Sequence, residues 1–223
     1  HVPVPDLTYQ ETTDENSEAD PVNVSTGAYT DSLNALSVQG VNPVSASLQY
    51  DSNAVEEVGE FGYGWTHNYE ARILDMKDGT LRYYVSPTGY YTFLAEDIDK
   101  AECKQDSDGY LYKDYSSIPM KQNYNCLNEN KAGYLLKRTK DGEFVLTDKA
   151  DTTMEFDKKG NLMRIVNADG KRILIERQEK SFVVVDAVSG RKLTYHLNDE
   201  KLVKRVADDN GREVFFYMMG IKT

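Results

Sequence analysis

Strands led by a glycine recur in the C-terminal half of the chain, and their spacing limits the possible folds more than any other feature. The last three of these glycines stand 20 and 21 residues apart, and the full set is Gly142, Gly170, Gly190 and Gly211. Second strands lie between them at 162–166 and 202–206, so that Leu162 and Leu202 are forty residues apart. Each repeat is therefore predicted to be strand, turn and strand. Such repeats bury their apolar faces on their neighbours.

The fold class predicted from this pattern is all-β. We expect antiparallel β-hairpin repeats that form part of a twisted or spiralling sheet. Helices should be few or absent, because no segment shows ten or more residues with a clear 3.6-residue period. We also expect the sheet to continue beyond Thr223 and its edges to be exposed or paired with neighbours.

The N-terminal half carries different strand signals. Val44–Tyr50 alternates strictly, which is typical of a strand buried on one face. Gly59–Gly64 places three glycines around two aromatic residues before Trp65, a spacing that indicates a tight loop with rings packed over bare backbone. Asp78-Gly79 precedes the next strand and predicts a hairpin turn.

Four ranges describe the predicted organisation. Residues 1–20 are an acidic extended segment, 21–96 an N-terminal β region, 97–133 an insertion or long hairpin, and 134–223 the hairpin repeats. The acidity belongs to one end, since residues 1–71 hold twelve acidic and no basic residues, whereas the rest is balanced. An acidic end of this kind would be repelled by nucleic acid or by an anionic membrane surface. No run of about 20 apolar residues predicts insertion into a membrane.

Residues that could carry chemistry are few, and we expect no catalytic, cofactor-binding or metal site. His1, His67 and His196 are the only histidines, and no Gly-x-Ser-x-Gly nucleophile motif accompanies them. His67 lies in the aromatic segment, where packing explains it. Cys103 and Cys126 could pair across a hairpin or remain free thiols.

Acidic clusters suit turns better than ligand sites. Asp106-Ser107-Asp108-Gly109 and Asp97-Ile98-Asp99 resemble calcium loops only in part, because neither extends to the EF-hand pattern. Hairpin turns use the same residues. Glu56, Glu57 and Glu60 could form a carboxylate pair, but an exposed loop is the simpler interpretation, and a hydrolase would need a buried acidic cluster.

Tyrosines are the most abundant aromatic residues and give the main alternative function. Sugars stack on such rings, so a face of tyrosines could bind glycans, although alternating tyrosines also pair across strands and cover a sheet. The residues concerned are Tyr83, Tyr84, Tyr90, Tyr91, Tyr110, Tyr112 and Tyr115.

The segment Phe156–Lys171 resembles a YD repeat of Rhs proteins, with an aromatic residue, Asp157, Gly160 and Leu162 in the order of that motif. A second copy from Tyr195 to Arg212 is similar but degenerate. There, His196 stands in for the aspartate and Glu200 or Lys201 for the glycine.

The N-terminal half resembles the domain that opens many Rhs cores. The matching segments are Asp20–Gly27, Leu48–Ser52 and Phe61–Tyr69. This resemblance implies a long spiralling β-sheet that closes into a shell around a C-terminal toxin or effector, as in polymorphic toxins and wall-associated proteins. The partners would be the rest of the shell and that effector, with possible cell-surface glycans, and no cofactor.

The function expected from these signals is a non-enzymatic structural segment of a secreted or bacterial cell-surface Rhs/YD-repeat protein. The alternative is an extracellular carbohydrate-binding or adhesion β module. Binding to a glycan array that is lost on mutation of Tyr83 or Tyr90 would favour the alternative.

Overall fold

The computed structural model describes residues 29–54, 58–85, 89–128 and 133–217. It is all-β, as predicted. The strands in chain order are β1 Thr30–Val38, β2 Val44–Asp51, β3 Val58–Gly59, β4 Gly62–Tyr63, β5 Trp65–His67, β6 Arg72–Asp75, β7 Thr80–Tyr84, β8 Tyr90–Ala95, β9 Glu102–Gln105, β10 Leu111–Asp114, β11 Gln122–Cys126, β12 Leu135–Arg138, β13 Phe144–Thr147, β14 Thr153–Phe156, β15 Leu162–Val166, β16 Arg172–Arg177, β17 Ser181–Asp186, β18 Lys192–Leu197, β19 Val203–Asp208 and β20 Glu213–Phe215.

Helical structure in this part of the chain is limited to short 3-10 segments at Ser52–Ala54, Ile98–Lys100 and Tyr115–Ser117. Thirteen strands follow one another in an antiparallel sheet in the order β20, β19 and so on down to β11, then β8, β7 and β6. The small sheets are β1-β2-β5, β3-β4 and β9-β10. Among the described residues, no helix has the length and apolar character needed to cross a bilayer.

The chain divides into two compact units. The first combines the residues up to Glu70 with those from Glu176 onward, and the second runs from Ala71 to Ile175. The four sequence ranges given above stay a prediction. In the first unit, β2 buries Val44, Ala46, Leu48 and Tyr50 and confirms the alternation predicted for that strand. The β1-β2-β5 sheet packs on β17–β20. Its core includes the parallel rings of Phe182 and Tyr195, whose centroids are 4.3 Å apart.

The second unit has its own filled interior. Its largest buried side chains come from six different strands and are Leu81, Phe93, Leu136, Phe144, Leu146, Phe156 and Leu162. The sheet curls until β6 meets the turn between β14 and β15, where Arg72 and Asn161 form an antiparallel bridge. The predicted insertion divides in two: β9 and β10 form a separate hairpin, whereas β11 lies in the main sheet between β8 and β12.

One hairpin turn recurs through both units. In this turn, the carbonyl of the first residue accepts a hydrogen bond from the amide of the residue three positions later. The amide of the first residue donates to the carbonyl of the residue four positions later. Asp157 makes these two bonds with Gly160 and Asn161. The residue three positions on has positive φ, which is why glycine is common there. In five of these turns, a side-chain oxygen of the first residue also accepts hydrogen bonds from the amides of the residues two and four positions later. The first residues of these turns are Asp106, Asp148, Asp157, Asn198 and Asp208.

This turn corrects the alignment of the second YD-like copy. The turn between β18 and β19 begins at Asn198 and has Lys201 in the left-handed position, with φ 64°. Asn198, and not His196, therefore corresponds to Asp157. Cross-strand pairing gives the same result, because Leu197 faces Val203 as Phe156 faces Leu162. The repeat spacing is thus one residue longer than the Leu162–Leu202 match suggested, since Val203 takes the place of Leu162.

Candidate functional site

A cluster of polar side chains in the first unit joins Glu60, His67, Glu70 and Arg177. Glu60 lies in the turn between β3 and β4, and His67 ends β5. The imidazole is fully buried and stacks at 5.7 Å from the ring of Phe182. The aromatic loop predicted around Gly59–Gly64 thus positions a histidine against carboxylates, besides packing rings over backbone.

Glu60 is the centre of the cluster. One carboxylate oxygen lies 2.5 Å from Nε2 of His67, and the other accepts a 2.5 Å hydrogen bond from Arg177 on β16. Its side chain is only 23% exposed. Burial alone would raise the pKa of Glu60, but the hydrogen bond from His67 and the charge of Arg177 outweigh it and lower the pKa to about 2.

Glu70 holds the loop from the other side. Its two oxygens accept hydrogen bonds from the backbone amides of Glu60, at 2.5 Å, and of His67, at 3.1 Å. Burial raises the pKa of this carboxyl, and the nearby charge of Glu60 acts in the same direction. The pKa values of the two carboxyls are therefore shifted in opposite directions, and Glu60 is the stronger acid.

The tautomer of His67 follows from its two neighbours. The backbone amide of Tyr69 lies 3.3 Å from Nδ1, which must accept because an amide N–H can only donate. Nε2 then carries the proton and donates a hydrogen bond to Glu60. All six side-chain nitrogen and oxygen atoms of Glu60, His67 and Glu70 are consequently engaged within the protein.

A metal ion would suit this cluster poorly. One ligand atom from each of Glu60, His67 and Glu70 lies within 4.8 Å of the others, which brings three possible ligands together. However, Glu60 and His67 would have to break their mutual hydrogen bond, and the guanidinium of Arg177 would repel the cation. The arrangement is chemically suited to clamping the β3–β5 loop onto β16.

Sequence reasoning found Glu60 and His67 but not their relation. The sequence had suggested an exposed loop for Glu60, but its side chain is largely buried. Its partner is a histidine and not another glutamate. Glu56 and Glu57 lie outside the described residues, as does His1. Glu70 and Arg177 were missed. Arg177 is 117 residues from Glu60, and no local signal in the sequence connects them.

The other candidate residues occupy ordinary structural positions. His196 lies on β18, where burial together with Arg205 and Lys204 lowers its pKa. Asp106 uses one oxygen to accept the amides of Asp108 and Tyr110, so this segment is a hairpin turn. Asp97 precedes a 3-10 segment and pairs with Lys100 at 3.0 Å. Both cysteines are free thiols, Cys103 exposed and Cys126 partly buried.

The tyrosines separate by face of the sheet. Tyr83 is buried, at 5% exposure, and is therefore unable to stack on a sugar. Mutation of Tyr83 would consequently not test glycan binding. Tyr84 and Tyr90 are on the opposite face, where Tyr90 is 41% exposed. Tyr110 and Tyr112 are exposed on the β9–β10 hairpin. The rings thus form no single continuous surface.

A cleft of about 430 Å³ in the second unit is lined by the β6–β7 turn, by residues 112–124 and by Arg138. Its floor holds the ion pair of Asp75 and Arg138, at 3.2 Å. Asp75 also accepts from the amide and ammonium of Lys77. The carboxylate of Asp75 is therefore paired, but the buried Nε of Arg138 has no hydrogen-bond partner among the described residues. One free donor does not make the convergent set of polar groups that a ligand site requires.

Comparison with protein families gives a match in the N-terminal half of the chain. Residues 19–92 match a family model described as a domain of unknown function (DUF6531). No curated protein matches the chain significantly. The matched range ends within β8 and includes the Glu60–His67–Glu70 segment.

Proposed function

We propose that this chain is a non-enzymatic structural segment of a secreted or bacterial cell-surface Rhs/YD-repeat protein. It would form part of a β-shell that encloses or presents a C-terminal toxin or effector. The observation that carries the proposal is the recurring hairpin turn, whose Asp-x-x-Gly geometry at Asp157–Gly160 reappears with Asn198 and Lys201 and again at Asp208–Gly211. A sheet built from one repeated turn grows by addition of hairpins.

The N-terminal region supports the same assignment. The Gly-aromatic segment that resembles the opening of Rhs cores lies within the range matched by the family of unknown function. Phe61 from this segment packs edge-on against Tyr195 of β18 and Phe216, with centroids 6.2 and 4.9 Å away. The opening region thus covers the hairpins of its own unit, as a cap would.

The edge strand β20 supports continuation of the sheet. In the described part of the chain β20 is paired on one side, with β19. Phe215 and Tyr217 are 49% and 69% exposed and their rings stack at 6.5 Å. An open edge with exposed aromatic residues favours pairing with a further strand. Side chains of the chain itself occupy the interior of each unit. We therefore propose that an effector would be enclosed by further hairpins of the shell and not by these two units.

The engaged polar cluster supports a structural role. A catalytic acid or base must exchange a proton with a substrate, which requires a nitrogen or oxygen that can be reached. In Glu60, His67 and Glu70 every such atom already has an intramolecular partner. The arrangement is consistent with a structural role in which these side chains hold the loop between β3 and β5 in place.

The test is to express the complete reading frame and determine its structure by electron cryo-microscopy. We expect β20 to continue into further hairpins of the same sheet, surrounding a C-terminal segment that resists protease in the intact protein and is digested after the shell is cleaved. A protein in which β20 remains an edge, or in which the C-terminal segment is digested equally fast in both states, would refute the proposal.

A further inference from the structure

The outer face of β6, β7 and β8 carries arginines but no carboxylate. Buried Ile73, Leu81, Tyr83 and Phe93 define the inner face of these strands. The alternate positions face outward and carry no carboxylate: Arg72, Leu74, Thr80, Arg82, Tyr84, Tyr90, Thr92 and Leu94. The chain from Arg72 onward is balanced, with 25 acidic and 26 basic residues, so two arginines without an acid make this face locally positive.

Two arginines and two tyrosines interlock on this face. Cross-strand pairing aligns Arg72, Tyr84 and Tyr90 in one row. The guanidinium carbon of Arg72 lies 4.3 Å from the centroid of Tyr84, and that of Arg82 lies 4.3 Å from the centroid of Tyr90. The two rings are 5.2 Å apart. Stacking of this kind holds both side chains in place before any ligand arrives.

Neither guanidinium has a carboxylate partner among the described residues. Other arginines do, including Arg138, Arg164, Arg177, Arg191, Arg205 and Arg212. Arg82 donates to the hydroxyl of Tyr84 at 3.3 Å, a bond that raises its pKa. The nearest acid in sequence, Asp78, accepts from the amide and hydroxyl of Thr80; its charge also helps to raise the pKa of Arg82, but the two residues form no ion pair. Two fixed positive charges are therefore available to an external anion.

We propose that the face formed by Arg72, Arg82, Tyr84 and Tyr90 binds saccharides that carry carboxylates. A planar guanidinium matches a carboxylate in a two-bonded fork, and the exposed edge of Tyr90 with Thr92 can hydrogen-bond sugar hydroxyls. Neutral sugars fit less well, because the guanidinium groups already cover a face of each ring. This binding role goes beyond the structural one and does not depend on it.

Carboxylated sugars fit better than phosphate polymers. A polyphosphate offers this face only charged oxygens and no C–H surface that could contact Leu74 or Leu94. An acidic saccharide spreads its charge over larger units that also offer C–H surface to Leu74 and Leu94. Leu74 is itself 39% exposed.

The experiment is a calorimetric titration of the full chain with tetragalacturonate at pH 7 and low ionic strength. We expect saturable binding that weakens as salt is added, because the contact is charged and exposed. The variant Arg72→Gln/Arg82→Gln should bind at least about tenfold more weakly, since each arginine supplies a charged hydrogen bond. Neutral maltotetraose should not bind.

The matched control is Arg164→Gln, an arginine of the same unit already paired with Glu155 at 2.6 Å. It should bind tetragalacturonate as the unmodified protein does. Absence of binding by the unmodified chain, equal weakening in the control, or binding of linear polyphosphate as tight as that of tetragalacturonate would each overturn the proposal. All four positions are at the surface or half-buried, and circular dichroism will verify that the variants retain the fold.

Discussion

The amide of Ile73 donates a 2.9 Å hydrogen bond to the carbonyl of Gly160, and the two backbones are so close that a Cβ on Gly160 would overlap the carbonyl oxygen of Ile73. The glycine of the YD-like motif thus has two separate reasons to be glycine. It takes φ 87° in the hairpin turn, and it lets the turn contact strand β6.

Replacing Gly160 by alanine should therefore destabilise the protein more than the same change at other turns. Gly170 occupies the equivalent turn position with φ 82°, and a Cβ there would meet nothing within 4 Å. We expect Gly170→Ala to lower the free energy of unfolding by about 1–2 kcal/mol, from the left-handed backbone alone. Gly160→Ala should cost about 1–3 kcal/mol more, because backbone must move.

Urea denaturation of the two variants measures the difference. Equal losses of unfolding free energy would show that the contact between the turn and β6 contributes nothing. A larger loss in Gly170→Ala would contradict the assignment of close packing to Gly160.

The aspartate of the motif should contribute through its side chain. Asp157 accepts hydrogen bonds from the amides of Lys159 and Asn161, at 2.8 and 2.9 Å. Asp157→Ala leaves both amides without this partner and should lower the free energy of unfolding by about 1–2 kcal/mol. Asp157→Asn should cost clearly less, because Asn198 makes the same two bonds in its own turn. Equal costs for alanine and asparagine in urea denaturation would contradict this account.

Local patterns predicted much of the fold. The alternation over Val44–Tyr50 specified both the strand and its buried face, because side chains on a strand alternate strictly. The glycines at 142, 170, 190 and 211 all have positive φ, as expected for hairpin turns. These features depend on neighbours in sequence, so they can be read from the sequence.

Features that depend on distant contacts escaped prediction. The second repeat was aligned on Tyr195 because tyrosine resembles the aromatic residue of the motif, yet Leu197 occupies that position. A non-glycine residue at the left-handed position, Lys201, hid the correct turn. The Glu60–Arg177 pair joins residues on elements far apart in the chain, and periodicity carries no information about such a pair.

Stability in acid should depend on Glu60. Its pKa in the folded protein is about 2, against an ordinary value of 4.5, so the folded state favours the ionised form. This contribution is complete above pH 4.5 and is lost as the pH falls towards 2, where both folded and unfolded forms become protonated. It corresponds to a stabilisation of about 3 kcal/mol at neutral pH.

Glu60→Gln should therefore unfold at lower urea concentration at pH 7, and its stability should fall less between pH 4.5 and 2 than that of the unmodified protein. Glu70→Gln is the control. Burial raises the pKa of Glu70, so its contribution has the opposite sign and is lost as the pH rises above 4.5. If Glu60→Gln and the unmodified protein lose the same stability over this window, the pairing of Glu60 with His67 and Arg177 is not maintained in solution.

The cysteines should behave as two independent thiols. Cys103 on β9 faces Lys113 across the hairpin, whereas Cys126 on β11 faces Phe93 in the main sheet, so neither has the other as its cross-strand neighbour. Under non-denaturing and non-reducing conditions, iodoacetamide should modify both, and exposed Cys103 before partly buried Cys126. Cys103→Ser should leave a single, slower site in the mass spectrum, and Cys126→Ser a single, faster one. Modification that requires prior reduction would show a disulfide, and strands β9 and β11 would then have to be paired differently.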